Sequence, residues 1–293
     1  METVEDLVKK QTAADPRLSF IESDIEKKFL FPAGTFTSAG PLLAPFGALF
    51  LAVLWYVIIF PFSDSHFGAM FTQRGVVPYV IVFFTAWSLM ILLIKSLKIN
   101  VQRKALALHI LPTEEDPGFT LTPASAQRVL ERLYKSVDDP KYFLLTRRIH
   151  VALSNLKNMG NISDVDRVLN TQADNDEAMV ESTYTLLRGF VWAIPVLGFI
   201  GTVLGLSMAL GSFGNVMSSA GEMAELKTAL QHVTAGLSTA FETTLLGLVS
   251  ALCIQMIMTG LKRKEEQFLD ACKDYCQKNI VNRLRLMKET PGS

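Results

Sequence analysis

The stretch FVWAIPVLGFIGTVLGLSMALGSF, Phe190 to Phe213, decides the fold of this chain. Its 24 residues contain no charged side chain, and a helix needs about 20 apolar residues to cross a bilayer. The stretch is therefore predicted to be a transmembrane helix. A hydrophobic content of 49% and a mean hydropathy of +0.29 agree, because a soluble protein needs more charge at its surface.

Three other segments have the same character. Pro41 to Phe62 and Val76 to Ile94 are free of charge, and Val233 to Leu261 is apolar except for Glu242. The sequence thus predicts an all-α polytopic membrane protein with four transmembrane helices, at 41–62, 76–94, 190–213 and 233–261. The predicted regions are an N-terminal arm (1–40), a transmembrane hairpin (41–95), a helical region (96–189), a second transmembrane hairpin (190–261) and a C-terminal helix (262–293).

Lysine and arginine are unevenly distributed among the connections. The segment 95–189 holds 13 of them and the C-terminal helix holds 8, whereas the two remaining connections hold only Arg74 and Lys227. Because cytoplasmic flanks carry the excess of positive charge, the N-terminal arm, the long loop and the C-terminal helix are predicted to be cytoplasmic. The clusters at Lys95 to Lys104 and Lys262 to Lys264 are interpreted as topology anchors, with recruitment of an anionic lipid as the alternative.

The cytoplasmic region is predicted to be helical and to continue from the membrane. Thr122 and Pro123 form a helix-start signal, and a second helix is predicted from Tyr142 to Lys157. Ser163 is expected to cap a third helix that runs unbroken to Phe213, a length of about 75 Å. The fourth crossing is expected to extend into the cytoplasm as well.

Net charge and motif content exclude several classes of function. The formal net charge is zero, which gives no reason to expect a nucleic acid partner. The sequence has no phosphate-binding loop, zinc-protease motif or nucleophile elbow, so neither an enzyme nor a cofactor is predicted. Cys272 and Cys276 are four residues apart and could hold a metal ion, but no histidine or third cysteine stands near them. Ordinary packing as small apolar residues is favoured, and no metal site is predicted.

The last two crossings carry small residues at helical spacing. The third has Gly198, Gly201, Gly205 and Ala209, and the fourth has Gly236, Ala240, Gly247 and Ala251. In lipid there is little hydrophobic force between helices, so small residues are what lets two backbones approach closely. Tight packing of a helix bundle is the simplest interpretation.

Three polar residues on these helices suggest more than packing. Thr202 and Thr244 fall near mid-membrane on the small-residue faces, where a hydroxyl can bond its own backbone, water or a neighbouring helix. Glu242 would cost about 2.5 to 3.5 kcal/mol in hydrocarbon, so it should face protein or a wet cavity. It lies about 200° around the helix from Thr244, and it is expected to hydrogen-bond Ser238, Thr239 or an adjacent subunit.

Two motifs make the interpretation specific. The segment 193–206, AIPVLGFIGTVLGL, has a proline ahead of Gly-x-x-Gly-Thr-Val-x-Gly, and the positions are Pro195, Gly198, Gly201, Thr202, Val203 and Gly205. The segment 241–251, FETTLLGLVSA, has Thr244 two residues ahead of the Gly-Leu-Val that starts at Gly247. Together they resemble the last two crossings of the MotA/TolQ/ExbB proton channel family, in its TolQ and ExbB branch. The resemblance covers about 179–264.

The resemblance implies a function, an assembly and partners. It implies a homopentamer in the bacterial inner membrane, around two copies of a single-crossing partner of the ExbD, TolR or MotB kind. An aspartate on the partner's crossing would take up and release H⁺ or Na⁺, and ion flow would turn the pentamer to deliver work across the envelope. Thr202 and Thr244 would line the ion path and face that aspartate. The residues implied to pack the helices around the pore are Pro195, Gly198, Gly201, Gly205, Gly236, Ala240 and Gly247.

Departures from the TolQ and ExbB pattern leave alternatives open. Those proteins have three crossings, whereas four crossings with cytoplasmic termini resemble MotA, so a flagellar stator subunit is one alternative. A passive helical scaffold or solute transporter is the alternative from another class, in which the glycines only pack and Glu242 binds substrate. The acid usual in the ExbB pattern corresponds to Thr239 here and its proline to Cys253, so neither role is transferred.

Overall fold

The computed structural model describes residues 18–20, 26, 34, 36–106, 108, 110–111, 118–156, 161–218 and 223–285, and the regular secondary structure in this part of the chain is helical. The helices are α1 (Leu43–Ile59), α2 (His66–Thr72), α3 (Val77–Leu106), α4 (Pro123–Ser136), α5 (Leu144–Ser154), α6 (Ile162–Ser182), α7 (Thr185–Ser218) and α8 (Met223–Asn279). Single turns of 3₁₀ helix occupy Phe60–Phe62, Pro140–Tyr142 and Val281–Arg283. In these residues β-pairing is confined to two isolated bridges, Leu18 with Val137 and Leu121 with Leu284. The predicted all-α fold is confirmed for the described residues.

Four helical stretches of the described residues are long and apolar enough to cross a membrane. They are Leu43–Phe62, Val77–Leu106, Ile162–Gly211 and Lys227–Arg283. Each overlaps one of the four predicted crossings, and the chain is accordingly a multi-pass membrane protein.

The chain divides into two compact units. The apolar unit comprises 41–93 and 184–261, and the polar unit comprises 1–40, 94–183 and 262–293. Helices α3 and α8 contribute residues to both units. The long segment between the second and third crossings therefore folds together with parts of both terminal segments.

The first hairpin of the apolar unit is held by small side chains. Ala48 and Ala52 of α1 pack against Ala86 of α3. Ser65 caps the intervening helix α2 by accepting a hydrogen bond of 3.0 Å from a backbone amide in its first turn. Gly75 has a φ of +76°, a conformation that favours glycine, and it turns the chain into α3.

A two-residue turn separates α6 from α7, where the sequence predicts one unbroken helix. Thr183 Oγ1 donates to the Val180 carbonyl oxygen at 2.6 Å and accepts a hydrogen bond from Lys95 Nζ at 2.8 Å. The turn is thus stabilised partly by a side chain of α3, which the local sequence cannot reveal. The prediction of an unbroken helix was wrong at this point, whereas the helical continuation of the fourth crossing beyond residue 261 is confirmed, because α8 runs to Asn279.

The helices of the polar unit begin close to where their capping residues predict. Thr122 begins α4 with a reciprocal capping box, in which it exchanges hydrogen bonds of 3.2 and 2.9 Å with Ser125. Helix α5 is shorter than the predicted 142–157, and its predicted last residue lies outside the described part of the chain. Helix α6 begins at Ile162 with Asn161 in the N-cap position, so the prediction that Ser163 caps this helix was wrong.

One face of α3 carries three buried polar side chains in the polar unit. Lys95 pairs with Glu265 at 3.1 Å, and Lys98 pairs with Glu26 at 2.6 Å. Gln102 donates at 2.7 Å to a backbone carbonyl ahead of α5 and accepts at 3.0 Å from its first amide. Burial lowers the pKa of Lys95, and the neighbouring Glu265 carboxylate opposes that effect. Since both lysines are at most 3% exposed, they bind protein groups and are inaccessible to a lipid headgroup.

The two cysteines of α8 lie in the core of the polar unit. Burial raises the pKa of Cys276 to about 12, and it raises the pKa of Cys272 as well. Arg148 lies near them and donates from Nε to Asp176 Oδ2 at 2.7 Å. Across the described residues, no three His, Cys, Asp or Glu side chains come together as a metal site. The thiols pack as buried groups, as the favoured interpretation predicts.

Candidate functional site

Helices α7 and α8 approach each other at backbone distance. A Cβ atom added to Gly205 would lie 2.6 Å from the Gly236 carbonyl oxygen, and one added to Gly236 would lie 2.6 Å from the Gly205 carbonyl oxygen. One added to Gly247 would lie 2.9 Å from the Ile194 carbonyl oxygen. Protein atoms pack without such overlaps, so a larger side chain here would force the helices apart. We call this contact the α7–α8 seam, formed by Gly198, Gly201, Gly205, Gly236, Ala240 and Gly247.

Gly198, Gly201 and Ala240 make the other close contacts of the seam. A Cβ atom on Gly198 would lie 2.9 Å from the Thr243 carbonyl oxygen, and one on Gly201 would overlap the Thr243 side chain. Ala240 faces Gly205. Pro195 lies within α7, less than one turn before Gly198, and it cannot donate the usual helical hydrogen bond because it has no amide hydrogen.

Thr202 and Thr244 meet across the α7–α8 seam. Their hydroxyl oxygens are in hydrogen-bond contact. Thr244 Oγ1 also donates to the Gly198 carbonyl oxygen at 3.1 Å, and Thr202 Oγ1 donates to the Ala240 carbonyl oxygen at 3.0 Å. Each hydroxyl has one proton to donate, so these bonds cannot all form at once and the two side chains can alternate as donor. Both threonines are half-buried.

Thr243 is a member of the seam that the sequence analysis does not single out. Its side chain is fully buried, and Oγ1 donates to the Thr239 carbonyl oxygen at 2.8 Å. The sequence feature that could have identified Thr243 is its position next to Thr244, in a helix whose other seam residues are small. Its hydroxyl also lies 3.4 Å from the Gly198 carbonyl oxygen of α7, so Thr243 packs the seam while Thr202 and Thr244 form the contact between hydroxyls.

Glu242 forms a bidentate ion pair with Arg74. Arg74 Nε donates to Oε2 at 2.7 Å and Nη2 donates to Oε1 at 3.0 Å, and the two side chains are 16% and 12% exposed. The sequence predicts Ser238, Thr239 or an adjacent subunit as the partner, and within the chain the partner is Arg74. Thr239 Oγ1 donates to the Ala235 carbonyl oxygen of its own helix at 3.0 Å. Arg74 lies 168 residues away in the chain, in the connection between α2 and α3, so no local pattern predicts this pair.

Helix α8 therefore has different partners on different faces. The face that carries Thr244 and the small residues packs on α7. The face that carries Glu242 contacts the first hairpin. The acid does not join the hydroxyl pair, although only two residues separate it from Thr244.

Comparison with known proteins gives a family match for part of this chain. A model of the MotA/TolQ/ExbB proton channel family matches residues 141–273, a range that contains both threonines, Glu242 and the whole seam. No curated protein and no solved structure gave a match.

Proposed function

Because residues 141–273 form a domain of the MotA/TolQ/ExbB proton channel family, we propose that this chain is the ion-conducting, force-generating subunit of a TolQ/ExbB-type motor. It couples an H⁺ or Na⁺ gradient across the bacterial inner membrane to mechanical work or transport across the cell envelope. Members of this family are channels and not enzymes, and membership implies partners of the ExbD, TolR or MotB type.

The observation that carries the proposal is the hydroxyl pair of Thr202 and Thr244. A carboxyl group that takes up and releases a proton needs a neighbour that donates to its ionised form and accepts from its protonated form. A hydroxyl does both. Two hydroxyls in contact can also exchange which of them donates. Their half-buried setting keeps the local dielectric low and strengthens each contact with a partner's aspartate.

We place the outer edge of the hydrocarbon core near Arg74 and Glu242. On α3, the charge-free stretch from Val77 to Ile94 is about 27 Å long, and on α8 the stretch between Glu242 and Lys262 is about 28 Å long. Both lengths match a hydrocarbon core of about 30 Å. The ion pair then stands at the border of the core, where charge costs less than at its centre. With this placement Thr244 lies within one turn of that border, whereas the sequence predicts it near mid-membrane.

The proposed assembly is a homopentamer around two copies of the single-crossing partner, with both termini in the cytoplasm. The orientation is supported by the excess of lysine and arginine in the polar unit. The assembly itself and its stoichiometry follow the family resemblance.

Two alternatives make different use of the same features. Four crossings favour a flagellar stator subunit, whereas the Gly-Thr-Val sequence at 201–203 favours the TolQ/ExbB type. A solute transporter in which Glu242 binds substrate is disfavoured, because both carboxylate oxygens already bind Arg74.

Co-expression with a single-crossing partner that carries an intramembrane aspartate tests the proposal. We expect the two proteins to co-purify, native mass spectrometry to show five copies to two, and the complex to conduct ions in proteoliposomes. A partner with that aspartate changed to asparagine is the matched control, and it should assemble without conducting. A chain that stays monomeric or dimeric in lipid and in detergent, without ion flux, would overturn the proposal.

A further inference from the structure

We infer that Arg74 is a positioning residue for the ion-conducting site: through its ion pair with Glu242 it sets the rotation of α8, and so keeps Thr244 against Thr202. The inference rests on the proposed function, since it concerns the same hydroxyl pair. It assigns to the first hairpin, which lies outside the matched family domain, a role in conduction.

The geometry of the ion pair restricts orientation as well as distance. Two nitrogens of the Arg74 guanidinium bind the two oxygens of Glu242, at 2.7 and 3.0 Å. A planar fork against a planar carboxylate has one favourable orientation, unlike the point charge of a lysine. Both side chains are also largely shielded from solvent, which strengthens the pair relative to an exposed one.

The position of the Arg74–Glu242 ion pair lets it act as a clamp, meaning a contact that holds α8 at one rotation about its own axis. Glu242 and Thr244 are two residues apart and point to opposite sides of the helix, about 200° apart. A rotation of α8 by about 30° would move a hydroxyl that lies about 5 Å from the helix axis by about 2.5 Å. That displacement is enough to break a hydrogen bond between the threonines. The ion pair opposes such a rotation from the side of α8 that the α7–α8 seam does not cover.

Arg74 acts through α8 and not by touching the hydroxyl pair. The hydrogen bonds described above for Thr202 and Thr244 all lie within α7 and α8. Glu242 in turn directs both of its oxygens to Arg74, which is unsuited to a group that must hand an ion to the partner. The pair therefore positions the ion path without belonging to it.

Ion flux per assembled complex in proteoliposomes tests this role. In Arg74→Gln and in Glu242→Gln we expect flux to fall about tenfold, because the remaining charge loses its partner and α8 loses its clamp. Arg74→Lys keeps the positive charge but lacks the planar fork, so its ion flux should lie between the flux of these variants and that of the unmodified protein. The exchanged pair, Arg74→Glu with Glu242→Arg, should recover flux to within about threefold of the unmodified protein.

A second cycle separates positioning from general weakening of the fold. In a Thr202→Val background the hydroxyl pair is already lost, so adding Arg74→Gln should lower flux by less than about twofold more. A full further tenfold loss in that background would overturn the positioning role. Lys262→Gln, which breaks an exposed pair with Glu181, is the matched control and should leave flux unchanged.

The melting temperature of the purified complex provides a measurement that does not depend on conduction. Arg74→Gln and Glu242→Gln should each lower it, and the double variant should lower it by less than the sum. Normal flux and normal melting in both single variants would overturn the inference, as would flux that is lost only in Glu242→Gln. A complex that melts as expected but never conducts, even unmodified, would overturn the proposed function and leave the clamp itself supported.

Discussion

The two hairpins of the apolar unit are packed in opposite ways. Helices α1 and α3 meet through alanines and aromatic rings, and they leave a groove of about 770 Å³ between them. The groove is lined by Leu49, Ala52, Val53, Tyr56, Val57, Phe60, Tyr79, Val80, Phe83 and Phe84. Helices α7 and α8 meet at backbone distance, with glycine against glycine. From this contrast we expect a larger side chain to be tolerated less well in the α7–α8 seam than in the groove between α1 and α3.

The polar contacts of the two hairpins explain that difference. The second hairpin holds two hydroxyls whose contact fails if the helices separate or rotate by a small amount. Small residues are the means by which helices in lipid keep so short a distance. The first hairpin contributes the ion pair from Arg74 to Glu242, and this contact lies in its connecting segment. An open groove between α1 and α3 is compatible with such a role.

The largest expected effect comes from widening the α7–α8 seam. Gly236→Val places methyl groups against the Gly205 carbonyl oxygen and should lower the free energy of unfolding by about 3 kcal/mol. Thermal unfolding and size-exclusion chromatography of the purified protein measure this change. Gly260→Val, on the same helix, is the control, because a Cβ atom added to Gly260 would have no neighbour within 4 Å. Equal losses in the two variants would show that the seam is not specially tight.

A smaller effect is expected when the hydroxyls are removed without changing shape. Thr202→Val and Thr244→Val should still assemble, with a packing penalty on the order of 1 kcal/mol. Ion flux in proteoliposomes should fall about 5- to 150-fold, because losing the hydroxyl raises the barrier by about 1 to 3 kcal/mol. The double variant should lose less than the product of the single losses, since the two hydroxyls bond each other.

The control for the threonines is Thr259→Val, also on α8. Its exposed hydroxyl donates at 2.8 Å to the Gln255 carbonyl oxygen of the same helix, and its loss should leave flux unchanged. Unchanged flux in both Thr202→Val and Thr244→Val, with assembly intact, would mean that these threonines only pack helices. The channel assignment would then depend on the family match alone.

The smallest effect is expected in the groove of the first hairpin. Val53 lines the groove and is 54% exposed, so Val53→Leu should change the free energy of unfolding by less than about 0.5 kcal/mol. Thermal unfolding of the assembled complex is the measurement. A loss above about 1 kcal/mol would show that a neighbouring subunit fills the groove, and that the first hairpin is as tightly packed as the second.

Local patterns were sufficient to predict much of the fold and part of the site. A charge-free run of about 20 residues specifies a membrane-crossing helix on its own, and all four predicted crossings correspond to apolar helices. The start of α4 followed from Thr122 and Pro123, since a cap involves residues within one turn. The small residues of the two motifs do meet in the structure, because their spacing places them on one face of each helix.

Only the tertiary structure determined which residues that are far apart in the chain contact each other. Hydropathy identified Glu242 as costly, but Arg74 became its partner through a fold that brings together residues 168 positions apart. Lys95 and Lys98 have the sequence character of membrane anchors, and packing buries both against acidic residues. Periodicity reports which face of a helix is apolar and nothing about which element will cover it. Charge partners and hydroxyl contacts depend on that covering element, so they appear only once the helices are packed.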